Sequence, residues 1–183
     1  MYCLKCGSLS KKDKIIGDPI YRDVCIQCNY VHYVNPKIIV GVLPVKNKKI
    51  LLCKRDIEPG FGKWTLPSGY MEIGESLEQG AKREALEEAN LKINIKMLYG
   101  TYSIPKIGQV LFIYIGEILN DDFRAADETS EVNLFSINDV PWDRIAFPSV
   151  EYFLRKYVDD IKTKIKLSFH SNFLPDASKS VKE

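Results

Sequence analysis

From residue 37 to residue 54 the chain runs apolar, breaks over a short polar stretch and runs apolar again. Lys37-Ile38-Ile39-Val40-Gly41-Val42-Leu43 has the β-branched, nearly continuous apolar character of a strand covered on both faces. Lys46-Asn47-Lys48 reads as a turn, and Ile50 to Lys54 as the returning strand. Trp64-Thr65-Leu66 is a short strand that ends in Pro67-Ser68-Gly69. The period then changes. Ser76-Leu77-Glu78-Gln79 is a capping box, and Ala, Leu, Glu, Lys and Arg dominate the stretch beyond it, which predicts a helix over about 77–89. Lys92 to Tyr99, Val110 to Ile118 and Val132 to Phe135 are strand-like. A second helix is expected from about Val150 to Lys164, with Tyr152, Phe153, Tyr157 and Ile161 as its apolar stripe. Residues 171–183 carry no such pattern and read as a disordered tail. The order of elements predicts an α/β domain without internal repeats or a low-complexity linker.

The first helix carries the chemistry. At about 100° per residue, Glu84, Glu87 and Glu88 fall within about 100° of one another, beside Leu77, Ala81 and Ala85. The carboxylates therefore border the face that packs on the core. Grouped carboxylates repel, and hard oxygen ligands suit Mg²⁺ or Mn²⁺ rather than Zn²⁺. Arg83 stands one turn before Glu87 and is placed to brace it. Gly69 and Gly74 bracket the loop that enters the helix, where backbone can come close to a ligand. The competing reading is a solvated acidic face with (i, i+4) ion pairs. The fixed spacing from Gly69 through Glu75 to Arg83 speaks against it.

Four cysteines form the second signal. Cys3-x-x-Cys6 and Cys25-x-x-Cys28 have the spacing of two zinc knuckles. Gly7 and Asn29 come directly after them and tolerate the positive φ of tight turns. Disulfides and a redox pair are the alternatives, and both fit poorly with two copies of the motif and no secretion pattern at the N-terminus. Cys53 reads as a buried strand thiol. Lys5, Lys11, Lys12, Lys14 and Arg22 in this region are offset by Asp13, Asp18 and Asp23, so the ribbon presents no basic patch. A structural or dimerisation role is the better expectation, with metal supplying much of the folding free energy of so small a unit.

Composition narrows the class further. The chain has 183 residues, 45% hydrophobic, with a formal net charge of +2. That is enough for one core with a small appendage, and it gives no argument for a nucleic-acid or membrane partner. No apolar stretch approaches the roughly 20 residues of a spanning helix. The expected setting is cytoplasmic.

Gly69, Glu75, Arg83, Glu84, Glu87, Glu88 and Leu91 together resemble the Nudix box: Gly, five residues, Glu, seven residues, then Arg-Glu-aliphatic-any-Glu-Glu-any-Gly-aliphatic. Two positions depart, Ala85 for a larger aliphatic and Asn90 for the glycine that ends the helix. Asn is the next best residue for a left-handed cap. Further stretches, from Val31 to Pro36, Leu51 to Arg55, Gly62 to Glu72, Ile104 to Val110 and Pro141 to Phe147, look like a zinc-ribbon Nudix group that includes ADP-ribose and FAD pyrophosphatases. The NADH pyrophosphatases also carry a ribbon, but their Ser-Gln-Pro-Trp-Pro-Phe-Pro-x-Ser signature is absent, which ranks NADH below FAD and ADP-ribose.

The resemblance implies a zinc ribbon over 1–34 and a Nudix α/β/α sandwich with a mixed sheet over 36–168. It implies metal-dependent hydrolysis of a pyrophosphate linking a nucleoside diphosphate to another moiety, with AMP released. Glu84, Glu87, Glu88 and the Ser68 carbonyl would hold Mg²⁺ or Mn²⁺, and Glu75 and Arg83 would brace them. The general base would be a Glu after the box, Glu131 in preference to Glu128. Arg55, Trp64, Tyr102, Gln109 and Phe147 are the expected substrate contacts, Cys3, Cys6, Cys25 and Cys28 the zinc ligands, and a homodimer the expected assembly. A nucleoside triphosphate cleansing hydrolase is the rival within the enzyme class. A ligand-sensing or nucleic-acid-binding regulator is the rival outside it, and the intact carboxylates argue against that.

Overall fold

The computed structural model describes residues 1–164 and 166–174. The chain divides into two compact units, Met1–Pro36 and the remainder from Lys37. In the first, β1 (Ser10–Lys14), β2 (Tyr21–Cys25) and β3 (Val31–His32) form an antiparallel sheet in that order. Its buried apolar side chains among the described residues are Cys3, Val24 and Cys25, too few for a core. Two tight turns stand beside the sheet. Gly7 at φ 74° donates to the Cys3 carbonyl, and Asn29 at φ 57° donates to that of Cys25.

The second unit is built on a mixed sheet with the order β10-β5-β4-β9-β8-β11. Its strands are β4 (Lys37–Lys46), β5 (Lys49–Arg55), β8 (Ile93–Ile104), β9 (Gln109–Ile118), β10 (Thr129–Ser136) and β11 (His170–Phe173). Two short strands, β6 (Trp64–Thr65) and β7 (Ser68–Tyr70), pair with β5 and β4. The β4–β9 and β8–β11 pairings are parallel and the others antiparallel. Two helices, α1 (Leu77–Ala89) and α2 (Pro148–Thr163), cover the two faces.

Strand alternation decides which helix each side chain meets. Val40 and Val42 of β4 pack with Ala81, Ala85 and Ala89 of α1. The next residues in register, Ile39 and Leu43, pack with Val150, Phe153, Leu154 and Tyr157 of α2. Three alanines at helical spacing let α1 lie close to the sheet. Gly80 takes this further, because a Cβ there would meet a Val40 methyl at 2.7 Å and the Glu75 carboxylate at 2.6 Å. The helix starts at the predicted capping box, with Gln79 N–H donating to the Ser76 hydroxyl, and stops at Asn90 in the left-handed conformation, φ 52°.

The predicted disordered tail needs correction at its start. Ser171, Asn172 and Phe173 belong to β11, paired with Thr101, Tyr102 and Ser103 of β8. The edge is held there by polar contacts that no pattern shows. Tyr99 Oη donates to Asp160 Oδ2 at 2.8 Å, His170 Nε2 lies 3.1 Å from the same oxygen, and Tyr152 Oη donates to the Ser171 carbonyl at 3.0 Å. Residues 175–183 of that predicted tail lie outside the described residues.

Candidate active site

The loop between β7 and α1 is organised by one side chain. Arg83 donates from Nε and Nη2 to the Glu75 carboxylate at 3.0 and 2.9 Å, and from Nη2 to the Tyr70 carbonyl at 3.0 Å. Its Nη1 reaches Glu84 at 2.7 Å and Glu87 at 2.8 Å. A planar fork of five donors meets this demand and an ammonium does not. Glu75 also accepts the Glu72 N–H at 2.7 Å. The Arg83 guanidinium, helped by that N–H, holds the Glu75 carboxyl down at about 2. Its carboxylates in turn push Arg83 above its ordinary value.

Glu84 and Glu88 are each 8% exposed, on the face of α1 toward the sheet. Burial raises the Glu84 carboxyl against the pull of Arg83. Burial and the Glu84 charge push Glu88 to about 8, although the Ser68 N–H and the Arg55 charge favour its ionised form. Gly69 lies directly beneath Glu84, and a Cβ at Gly69 would overlap both carboxylate oxygens. Gly69 is needed there for the space, since its φ is not in the left-handed region. Glu87, with 47% side-chain exposure, turns out toward Arg83. Five carboxylates (Glu75, Glu84, Glu87, Glu88 and Glu128) thus face two guanidinium groups. That crowding of hard oxygen donors, two of them raised because their ionised forms lack compensation, suits a divalent cation. The three box carboxylates are not drawn to one point. Among the described residues only the four cysteines bring three or more ligand atoms within 4.8 Å of one another.

The NUDIX domain family model matches residues 35–157. The chain belongs to the NUDIX family. An ADP-ribose pyrophosphatase of Methanocaldococcus jannaschii is 34% identical over 122 residues, 64% of this chain and 71% of that protein. A NAD-capped RNA hydrolase, NudC, of Haemophilus influenzae is 32% identical over 118 residues, and the chain spans only 42% of its length. Among solved structures, a NUDIX hydrolase from Nitrosomonas europaea aligns with TM-score 0.92 and 41% identity, covering 96% of this chain and 99% of that one.

Strand parity sorts the remaining predicted residues of the NUDIX unit. Cys53 and Val132 face α1, so Lys54 and Glu131, paired in register next to them, face the other side of the sheet. Glu131 accepts from Lys54 Nζ at 3.2 Å and from Asn133 at 2.6 Å there, which removes it from the box carboxylates. The expectation for Glu131 is therefore corrected. Of the two candidates it is Glu128, in the turn before β10, whose charge adds to that of Glu84 at Glu88. A bulge between Thr129 and Glu131 sets this parity.

Trp64 and Tyr102 are also corrected. Trp64 is 5% exposed, edge-on to Phe135, and Tyr102 is 4% exposed against Tyr152 and Phe153, so neither ring offers a face to a ligand. Both lie in the core covered by α2. Arg55 stands on the box side. Its Nε donates to the Pro59 carbonyl at 2.7 Å and its guanidinium lies 5.2 Å from the centre of the Phe147 ring. Gln109 starts β9 and donates to the Tyr70 hydroxyl at 2.9 Å. Ser68 lies beside Glu88 through its N–H. Gly80 and Tyr70 do not stand out in the sequence. A glycine inside a helix, which costs about 1 kcal/mol, is the one signal for the first. Tyr70 gives none.

In the ribbon, Cys3 and Cys28 Sγ are 3.7 Å apart and Cys6 and Cys25 Sγ 3.5 Å. A tetrahedron with metal–sulfur bonds of about 2.3 Å has edges of about 3.8 Å, so the donor set fits Zn²⁺. Backbone N–H groups of Lys5, Gln27 and Cys28 point at the sulfurs. Those of Cys28 and Gln27 pull the Cys25 thiol down to about 6, toward the thiolate a metal takes. Among the described residues no helix is long and apolar enough to cross a membrane.

Proposed function

We propose that this NUDIX chain hydrolyses the pyrophosphate bond of ADP-ribose-like substrates, nucleoside diphosphates linked to a second moiety, with FAD in the same class. AMP and the phosphorylated moiety are the products. The observation that carries this reading is the pair of buried carboxylates, Glu84 and Glu88, raised by burial and by neighbouring carboxylates beside Gly69. The 34%-identical ADP-ribose pyrophosphatase supports the substrate class.

In this reading Glu84, Glu87, Glu88 and the Ser68 carbonyl would hold Mg²⁺ or Mn²⁺. The ion supplies Lewis acidity at phosphate oxygen and a lowered pKa for bound water. Glu75 and Arg83 fix the ligand helix against the entering loop. Arg55, oriented by Phe147 and the Pro59 carbonyl, meets phosphate oxygens. Glu128 takes the proton of the attacking water while the new P–O bond forms and the anhydride bond breaks. Cys3, Cys6, Cys25 and Cys28 hold a structural Zn²⁺, which suits a reducing, cytoplasmic setting. A homodimer acting on small molecules completes the proposal.

The test is a product assay with Mg²⁺ or Mn²⁺ on ADP-ribose, FAD, NADH and 8-oxo-dGTP, comparing wild type with Glu88→Gln, Glu128→Gln and Glu131→Gln. The expected result is AMP from ADP-ribose or FAD, lost in Glu88→Gln and reduced about 10²–10⁴-fold in Glu128→Gln but not in Glu131→Gln. Preference for the triphosphate overturns the substrate class. Full activity in Glu88→Gln overturns the site.

A further inference from the structure

Three side chains that the mechanism leaves idle meet at one end of the sheet. Lys37 opens β4, Gln109 opens β9 and Tyr70 ends β7. Lys37 pairs in register with Gln109 and Ile39 pairs with Tyr70, so all three project from the same face. Tyr70 is 47% exposed, yet its side chain is held at two points. Gln109 Nε2 donates to its hydroxyl at 2.9 Å, and the Lys37 ammonium lies 5.0 Å from its ring centre. An exposed tyrosine gains little from burial, and fixing its rotamer costs conformational entropy. Two contacts spent on it make a rigid aromatic surface. Its backbone is joined to the reaction site, for the Tyr70 carbonyl accepts from Arg83, the residue that binds Glu75, Glu84 and Glu87. The side chain of the preceding strand position, Gly69, would point into Glu84. Alternation therefore sends Tyr70 to the opposite side of the same short strand.

We propose that Tyr70, fixed by Lys37 and Gln109, is the platform on which the adenine ring of the substrate stacks, and that Gln109 selects adenine. Lys37 lies over one face of the ring, so the proposal puts the base on the other. With one Nε2 hydrogen given to the tyrosine hydroxyl, the amide still presents Oε1 as an acceptor, which matches the amino group of adenine where it faces that oxygen and opposes the carbonyl of hypoxanthine there. The linked diphosphate then runs past the edge of β7 to the carboxylates of α1. This deepens the proposed hydrolysis of ADP-ribose-like substrates and rests on it for turnover.

The experiment measures kcat and KM on ADP-ribose and its hypoxanthine counterpart for wild type, Tyr70→Ala, Tyr70→Phe and Gln109→Leu, with Mn²⁺ affinity as a control. Loss of a base–aromatic stack is expected to raise KM about 5- to 150-fold in Tyr70→Ala, with kcat and Mn²⁺ affinity within about threefold of wild type. Tyr70→Phe keeps most of the affinity, and Gln109→Leu loses the preference for adenine over hypoxanthine. An unchanged KM in Tyr70→Ala overturns the platform, and an unchanged preference for adenine over hypoxanthine in Gln109→Leu overturns the selection. Equilibrium binding of AMP to wild type and Tyr70→Ala separates the two ideas. If wild type does not turn over ADP-ribose, AMP binding lost only in the variant supports the platform while the hydrolase reading fails. AMP binding equal in the two proteins, or absent from both, overturns the platform.

Discussion

Replacing Gly69 by alanine tests the site with a single methyl group. Gly69 has no left-handed φ, so its backbone accepts alanine without strain. The conflict is with Glu84, whose Cδ would lie 2.5 Å from the new carbon. Carbon atoms in contact rest about 3.5–4.0 Å apart, so the carboxyl must retreat by about 1 Å. Glu84 is buried and bound to Arg83 Nη1 at 2.7 Å, so it moves only by loosening that bond and leaving its position beside Glu88. A misplacement of about 1 Å in a catalytic arrangement costs on the order of 10²-fold in rate. Weakening a charged hydrogen bond costs up to about 1.5–3 kcal/mol of stability, partly offset by about 0.4–1 kcal/mol from the stiffer unfolded chain. Gly69→Ala should therefore stay folded, with a melting temperature lowered by a few degrees, while kcat/KM for ADP-ribose falls about 100-fold and Mn²⁺ binds more weakly. Steady-state kinetics, a Mn²⁺ titration and a circular-dichroism melt measure these three quantities. Wild-type activity and Mn²⁺ affinity in a well-folded Gly69→Ala protein would refute the argument that Glu84 must sit over a bare Cα.

The charges of the two units lead to two further outcomes. Glu88 keeps its proton in the folded, Mg²⁺-free protein up to about pH 8, whereas an unfolded chain releases it near the ordinary 4.5. The folded state therefore binds more protons between those values, and stability declines as pH rises through that window, by on the order of 3–5 kcal/mol. Denaturation curves at pH 5.5 and 8.5, in buffer stripped of Mg²⁺ and Mn²⁺ with zinc retained, should show the decline in wild type, its loss in Glu88→Gln and its reversal by added Mn²⁺; a wild-type curve with no decline contradicts the burial argument. In the ribbon, Cys25→Ser leaves three thiols, so about one equivalent of zinc by elemental analysis of wild type should fall to well under half in the variant, and a full equivalent in the variant would sink the tetrahedral assignment.

What could be read from the sequence was governed by local rules. The bounds of α1 come from Ser76, Gln79 and Asn90, which act within a turn of themselves, and the structure has the helix at Leu77–Ala89 as expected. The grouping of Glu84 and Glu88 on the buried side is a matter of helical periodicity alone. The errors lie where a tertiary contact decides. Glu131 lies on the face of β10 turned away from α1 whereas Glu128 stands in the turn before the strand, and a bulge that no residue pattern announces sets the parity of Glu131. Trp64 and Tyr102 are on the face that α2 covers, and their alternation could not say how far the helix reaches. Ser171 to Phe173 look like part of a polar tail until the edge of β8, beside the His170–Asp160 contact, is in place.

The parallel pairing of β11 with β8 also bears on how the chain is made. His170 lies opposite Gly100, so the sheet of the second unit cannot close that edge until synthesis has passed residue 173. The β4–β9 pairing likewise joins Lys37 to Gln109 across a long intervening segment. Such contacts form late and leave the growing chain exposed, whereas the cysteine turns, Cys3 to Cys28, are complete within the first compact unit. A nascent chain emerging from the ribosome thus has its four cysteines together early and the sheet of its second unit only once residue 173 is made.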